Sequence, residues 1–250
     1  MADVEDTRIS PSLDPSAMSL VEEYDDDTRP LLGAAETLLS QAHKAIGAIH
    51  DCKEAVKGNL TLNDFARLVA VDDQAGKLMT PVFQSWDRVT GVLDANIAKF
   101  EAELNQPVEQ RATASMASEI RTYFRGLKTG ERMVAINQAI RDGDEITVTA
   151  VLGGRPYLSG FDAEMSAILL KEWHAHAQPV KAKQLRAMQR AKQILEERSG
   201  ILKREWRSAV GVHEEYDEDR QGRRVLKRTW TPAEVRERVK ASNIPFAVPV

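Results

Sequence analysis

The stretch PLLGAAETLLSQAHKAIGAIHDCKEAVKG, residues 30–58, decides the fold class. Its apolar residues Leu31, Leu32, Ala35, Leu38, Leu39, Ala42, Ile46, Ile49 and Val56 return at helical spacing. That is the period of one helix face and not the alternation of a strand. Pro30 opens the stretch, and Gly58-Asn59 closes it, because glycine tolerates the left-handed cap conformation. The spacing predicts an amphipathic helix whose apolar stripe must be buried by further helices.

The same period continues downstream. Thr61, with Asp64 three residues on, reads as the cap of a second helix running to Leu104. Thr80-Pro81 predicts a split or kink there, since proline favours the first helical position. Met79, Trp86, Leu93 and Phe100 are seven apart, with Val82 and Val89 in the complementary slot. This makes a short heptad seam that Asn96 and Glu103 cut off. Further helices are expected over 109–126 and 129–141. Residues 145–152, EITVTAVL, are β-prone but read as a short helix capped by Asp144. Gly153-Gly154-Arg155-Pro156 and Ser159-Gly160 are turns. From Asp162 the pattern is helical to Val210, interrupted at Pro179 and Gly200.

Gly211 ends that long helix. Residues 212–216 and 223–229 read as an exposed β-hairpin turning at 219–222. Thr231-Pro232-Ala233-Glu234 is a capping box with proline at the first helical position, and it starts a short helix to Ser242. The tail IPFAVPV, residues 244–250, is apolar, holds two prolines and is not expected to be helical.

Composition agrees with a helical reading. The chain has 250 residues, 42% of them hydrophobic, 6% aromatic and 14 glycines. So few aromatics and glycines disfavour sandwiches and barrels. The expected fold is all-α, a helical bundle with a long C-terminal helix and one small β-hairpin. The expected domain order is an acidic flexible arm at 1–29, a helical domain at 30–210, the hairpin at 211–230, and the capped helix with its tail at 231–250. The 38 acidic and 34 basic residues give a net charge of −4, which excludes a uniformly basic nucleic-acid coat. One cysteine excludes a disulfide framework or a cysteine-based metal cluster. The start MADVEDTRIS lacks a basic region and an apolar core, so no secretory signal is expected. No apolar run is long enough to span a membrane.

Charge is unevenly spread. Residues 1–29 hold nine acids against two bases, a balance of −7. Low hydrophobicity and like charge predict a disordered arm when it is isolated. Residues 181–207 hold nine bases against three acids, a balance of +6. The two stretches are candidates to pair within one chain or between neighbours.

Catalytic and metal motifs find little support. His174 and His176 are two apart, which points them to different faces of a helix and away from a shared ion. Gly153-Gly154-Arg155 lacks the lysine and hydroxyl of a phosphate loop. Ser159 lacks the glycine context of a nucleophile elbow. Cys52, near His50 on the first helix, reads as a packed thiol. Asp142 and Asp144, and Asp217, Glu218 and Asp219, do not follow a calcium-loop spacing. No cofactor, metal site or enzymatic activity is expected.

Two functional readings remain. In the preferred one the protein is a non-enzymatic assembly component, with Ile244, Phe246 and Val248 of the apolar tail either anchoring to a groove or folding back on the chain's own core. In the alternative, Arg186, Arg190, Arg204 and Arg207 track nucleic-acid phosphates, aided by Arg223, Arg224, Lys227 and Arg228 beside Trp230. The run AIRDGDEITVTAVLGGRPYLSGF, residues 139–161, resembles segments of uncharacterised helical proteins of tailed bacteriophages. That resemblance implies a virion or virion-assembly component and carries over no functional residues. The expected partners are other copies and particle proteins, with nucleic acid as the alternative and no membrane. The expected location is the virion or the host cytoplasm.

Overall fold

The computed structural model describes residues 6–109, 111–219, 221 and 223–243. Among the described residues the protein is all-α apart from one antiparallel hairpin. Its helices are α1 (Arg29–Lys57), α2 (Asp64–Leu104), α3 (Ala114–Gly126), α4 (Thr129–Asp142), α5 (Glu145–Leu152), α6 (Ala163–Ala177), α7 (Pro179–Val210) and α8 (Pro232–Asn243). The strands β1 (His213–Glu218) and β2 (Arg224–Trp230) precede α8. Among the described residues, no helix is long and apolar enough to cross a membrane.

The compact units do not follow sequence order. The first is formed by the described residues of Met1–Val21, Leu32–Gly91 and Ala191–Val250. Its core is built from helical stripes: Leu32, Ala35, Leu38, Leu39, Ala42, Ile46 and Ile49 of α1, and Leu68, Val71, Ala75, Met79, Val82 and Trp86 of α2. Ala191, Ile194, Leu195, Leu202 and Ala209 of α7 are buried as well. Each large side chain so buried contributes about 1.5–3 kcal/mol.

The acidic stretch does not stand apart in the structure. Ile9, Leu13, Ala17, Met18 and Val21 are buried, with Leu13, Ala17 and Met18 carried on short 3-10 turns at Pro11–Leu13 and Pro15–Leu20. The Arg198 Nε donates to the Ser12 carbonyl at 2.5 Å, and Arg8 pairs with Asp51 at 2.8 Å. Average hydrophobicity hides this pattern, because one apolar residue per turn is enough to seat the segment.

The second unit comprises Glu22–Leu31 and Val92–Arg190. Phe124, Ile136, Ile140, Val148, Val151, Leu152, Phe161, Leu169 and Trp173 form its main cluster. Leu104, Ala182 and Leu185 form a smaller one. The β-prone α5 is helical because it is central: Val148, Thr149, Ala150, Val151 and Leu152 are all buried. Burial on every side suits a helix that is apolar all round. Asp144 caps it by accepting the Thr147 amide at 3.0 Å.

Three expectations shift. The α2 cap is Asn63, which accepts the Ala66 amide at 2.8 Å, while the Thr61 amide and hydroxyl donate to the Asn59 side chain. α2 runs unbroken through Pro81. That proline is exposed, while Met79, Val82 and Trp86 hold the buried side. The interruption expected at Pro179 is present, with α6 ending at Ala177 and α7 starting at Pro179, but the one expected at Gly200 is absent. The ~1 kcal/mol cost of an internal glycine is outweighed by burial of Ile194, Leu195 and Leu202.

Candidate interaction sites

The first candidate lies where α8 meets the start of α2. The capping box docks α8: the Thr231 amide donates to Glu234 at 2.8 Å, and the Glu234 amide donates to the Thr231 hydroxyl at 3.3 Å. The Thr231 donation holds the Glu234 carboxyl below its ordinary pKa. Arg236 then bridges Asp72 at 2.5 Å and Asp73 at 2.6 Å on α2. Those carboxylates push its guanidinium pKa above the ordinary value.

Between these elements lies a cavity of about 680 Å³. Phe65, Ala66, Val69 and Ala70 of α2 form one wall, and Val235 and Val239 of α8 form the other. Trp230 also lines it. The indole N–H of Trp230 donates to Glu215 at 3.0 Å, the Arg228 guanidinium lies 3.7 Å over its ring, and Phe65 meets it edge-on at 5.7 Å. The indole donation, followed by the Lys227 ammonium, holds the Glu215 carboxyl below its usual range. The lining is apolar except for Asn63, Asp73 and Arg238. Such a groove grips apolar side chains; its volume matches sites that bury small ligands or peptide anchors.

Sequence reading singled out Trp230 but missed the other walls. The legible signal is the run FARLVAV, residues 65–71, which is apolar on two helix faces. Leu68 and Val71 are buried in the core, and Phe65, Ala66, Val69 and Ala70 are left over for a second partner.

The second candidate is the acidic loop of residues 23–28, in the other unit. Thr28, fully buried, closes it by donating to the Glu23 carbonyl at 2.5 Å and accepting the Asp25 amide at 3.0 Å. The loop presents its carboxylates to α7. Glu23 receives Arg186 at 2.6 Å, Asp27 receives Lys183 at 3.0 Å, and Asp25 also pairs with Lys183. The acidic and basic stretches therefore meet within one chain at this loop.

Lys183 depresses the Asp25 pKa, and Asp25 and then Asp27 raise that of Lys183. A lowered carboxylate pKa contributes stability that is present above its ordinary 3.8 and lost as pH falls through the lowered value. A raised ammonium pKa contributes stability that is present below its ordinary 10.5 and lost as pH rises through the raised value. The loop is therefore held best between those limits. Lys183→Met is expected to melt below the wild type at about pH 6, with the difference closing near pH 2 as the carboxylates protonate. Thermal unfolding followed by circular dichroism checks this, and an undiminished gap at the acid end would contradict it.

The remaining predicted residues are placed as follows. Arg186 is engaged by Glu23, and Arg190 is exposed one turn further along α7. Arg204 and Arg207 are exposed near the end of α7, in the other unit. Ile244, Phe246 and Val248 lie outside the described residues. His174 bonds the Gln106 carbonyl at 2.7 Å, and His176 stacks on Trp173. The buried Ser159 hydroxyl donates to the Val151 carbonyl at 3.1 Å. Cys52 is half-buried. Among the described residues no three His, Cys, Asp or Glu side chains converge for a metal ion. Comparison with protein-family models, with curated proteins and with solved structures gave no match for this chain.

Proposed function

We propose that this protein is a non-enzymatic structural component that assembles with copies of itself, of the kind that builds a bacteriophage particle. The observation that carries the reading is the apolar groove between α2 and α8. Its wall helix leads directly into the apolar segment 244–250. The ion pairs of Arg186 and Lys183 with the acidic loop support it indirectly. A phosphate backbone would have to displace Glu23, Asp25 and Asp27 to reach those bases.

Nucleic-acid binding is the second reading, favoured by the exposure of Arg204 and Arg207. Light scattering coupled to size exclusion, with the 260/280 nm absorbance ratio recorded, separates the two. Assembly predicts a mass of several chains with a protein-like ratio. That mass should survive replacement of Arg186, Arg190, Arg204 and Arg207 by glutamine. Nucleic-acid binding predicts an elevated ratio that high salt strips away and the glutamine variant lacks.

A further inference from the structure

We infer that the α2–α8 groove of one copy receives residues 244–250 of a neighbouring copy. The inference rests on the assembly reading and names its contact. The groove is apolar along Phe65, Val69, Trp230, Val235 and Val239. Val239 is 52% exposed, a large fraction for a valine on a cavity wall. The segment IPFAVPV matches this chemistry. In an extended chain alternate residues share a face, so Ile244, Phe246 and Val248 align on one side. The prolines at 245 and 249 fall on the other side, and their rings fix φ at a value compatible with an extended chain.

The direction of the chain selects a neighbouring copy over the groove's own tail. α8 runs past Val239 to Asn243, about 6 Å further along its axis. Among the described residues only Gly143, Gly160 and Gly211 have positive φ, so α8 carries no left-handed cap up to Asn243. Ile244 precedes a proline, which biases it to an extended conformation. Residues 244–250 hold no glycine, asparagine or aspartate, the residues that most readily take a left-handed conformation. Seven extended residues reach about 23 Å, enough to cross into another molecule. One groove and one segment per copy make a heterologous contact, which closes into a ring or runs on as a filament.

Complementation in solution tests the inference. Val239→Asp spoils the groove at an exposed position, Ala66→Trp fills it with bulk, and a third variant lacks residues 244–250. Circular dichroism confirms that each is folded. By light scattering the wild type is expected to exceed the mass of one chain, and each variant alone to fall to one. Mixing Val239→Asp with the truncated chain should restore a one-to-one pair, because one supplies the tail and the other the groove. Mixing the two groove variants should not. If the wild type assembles and the variants assemble equally well, the groove contact is refuted while assembly stands. If the variants are single chains and the mixture stays so, exchange between copies is refuted. A wild type that is a single chain at every concentration refutes the assembly reading and this inference together.

Discussion

Deleting residues 1–21 is expected to abolish cooperative folding of the first unit. The segment buries Ile9, Leu13, Met18 and Val21. At about 1.5–3 kcal/mol each, their burial amounts to roughly 6–12 kcal/mol, comparable to the whole stability of an ordinary domain. The polar contacts contribute less. The Arg8 pair with Asp51 is solvent-exposed on both sides, and such pairs are worth about 0–1 kcal/mol. Two finer variants separate these terms. Leu13→Ala with Met18→Ala should cost several kcal/mol while leaving every charge in place. Arg8→Gln should shift the melting midpoint by no more than a degree or two. Calorimetry reads both. A deletion that melts like the full chain would mean that the segment is a solvated tail after all.

The second large effect is expected at Arg132. This half-buried side chain on α4 closes the end of α3. Its Nε donates to the Phe124 carbonyl at 2.9 Å and an Nη to the Leu127 carbonyl at 2.8 Å. Its other Nη reaches the Gly160 carbonyl. Helix C-termini leave carbonyls without partners, and here one guanidinium serves α3 and the turn before α6 together. Gly160 is fitted to that role. Its φ is +80°, and a Cβ there would lie 2.6 Å from the Arg132 Cζ. Arg132→Met keeps most of the bulk and removes all the donors. A cost of about 3 kcal/mol follows from charged hydrogen bonds worth about 1.5–3 each, discounted for water reaching the half-exposed carbonyls. That lowers the melting midpoint by about 6–12 °C for a chain of this size. Arg132→Lys should recover little, because an ammonium cannot reproduce the planar fork. A methionine variant melting within a degree or two of wild type would contradict this account.

These cases show what the sequence discloses and what it withholds. The helices were legible because their signal is local: a stripe at helical spacing, a glycine at Gly143 or Gly211, a capping box at Thr231. Asp144 was legible as a cap for the same reason, even with β-prone residues following it. Of the split or kink that Pro81 predicted, the split does not occur, because the exposed position tolerates the proline within one helix. Thr61 misled because its own partner, Asn59, competes for it. The acidic stretch was legible in part: its charge made it a candidate to pair with residues 181–207, and Glu23, Asp25 and Asp27 do meet Arg186 and Lys183. Which residues pair was not legible, because Lys183 and Arg198 lie more than 150 residues away from the groups they hold. The groove falls between these extremes. Trp230 was singled out, but the walls on α2 and α8 were missed, although the surplus apolar residues at 65–71 carry a signal for one of them. That the two walls face each other follows only from the docking of Arg236 onto Asp72 and Asp73.

If copies of this protein associate through the α2–α8 groove, amide hydrogen exchange of the full chain will differ between dilute and concentrated samples. Exchange is expected to slow with concentration in residues 63–73 and 230–240, and in residues 244–250. Slowing confined to other helices, or none at any concentration, would contradict that association.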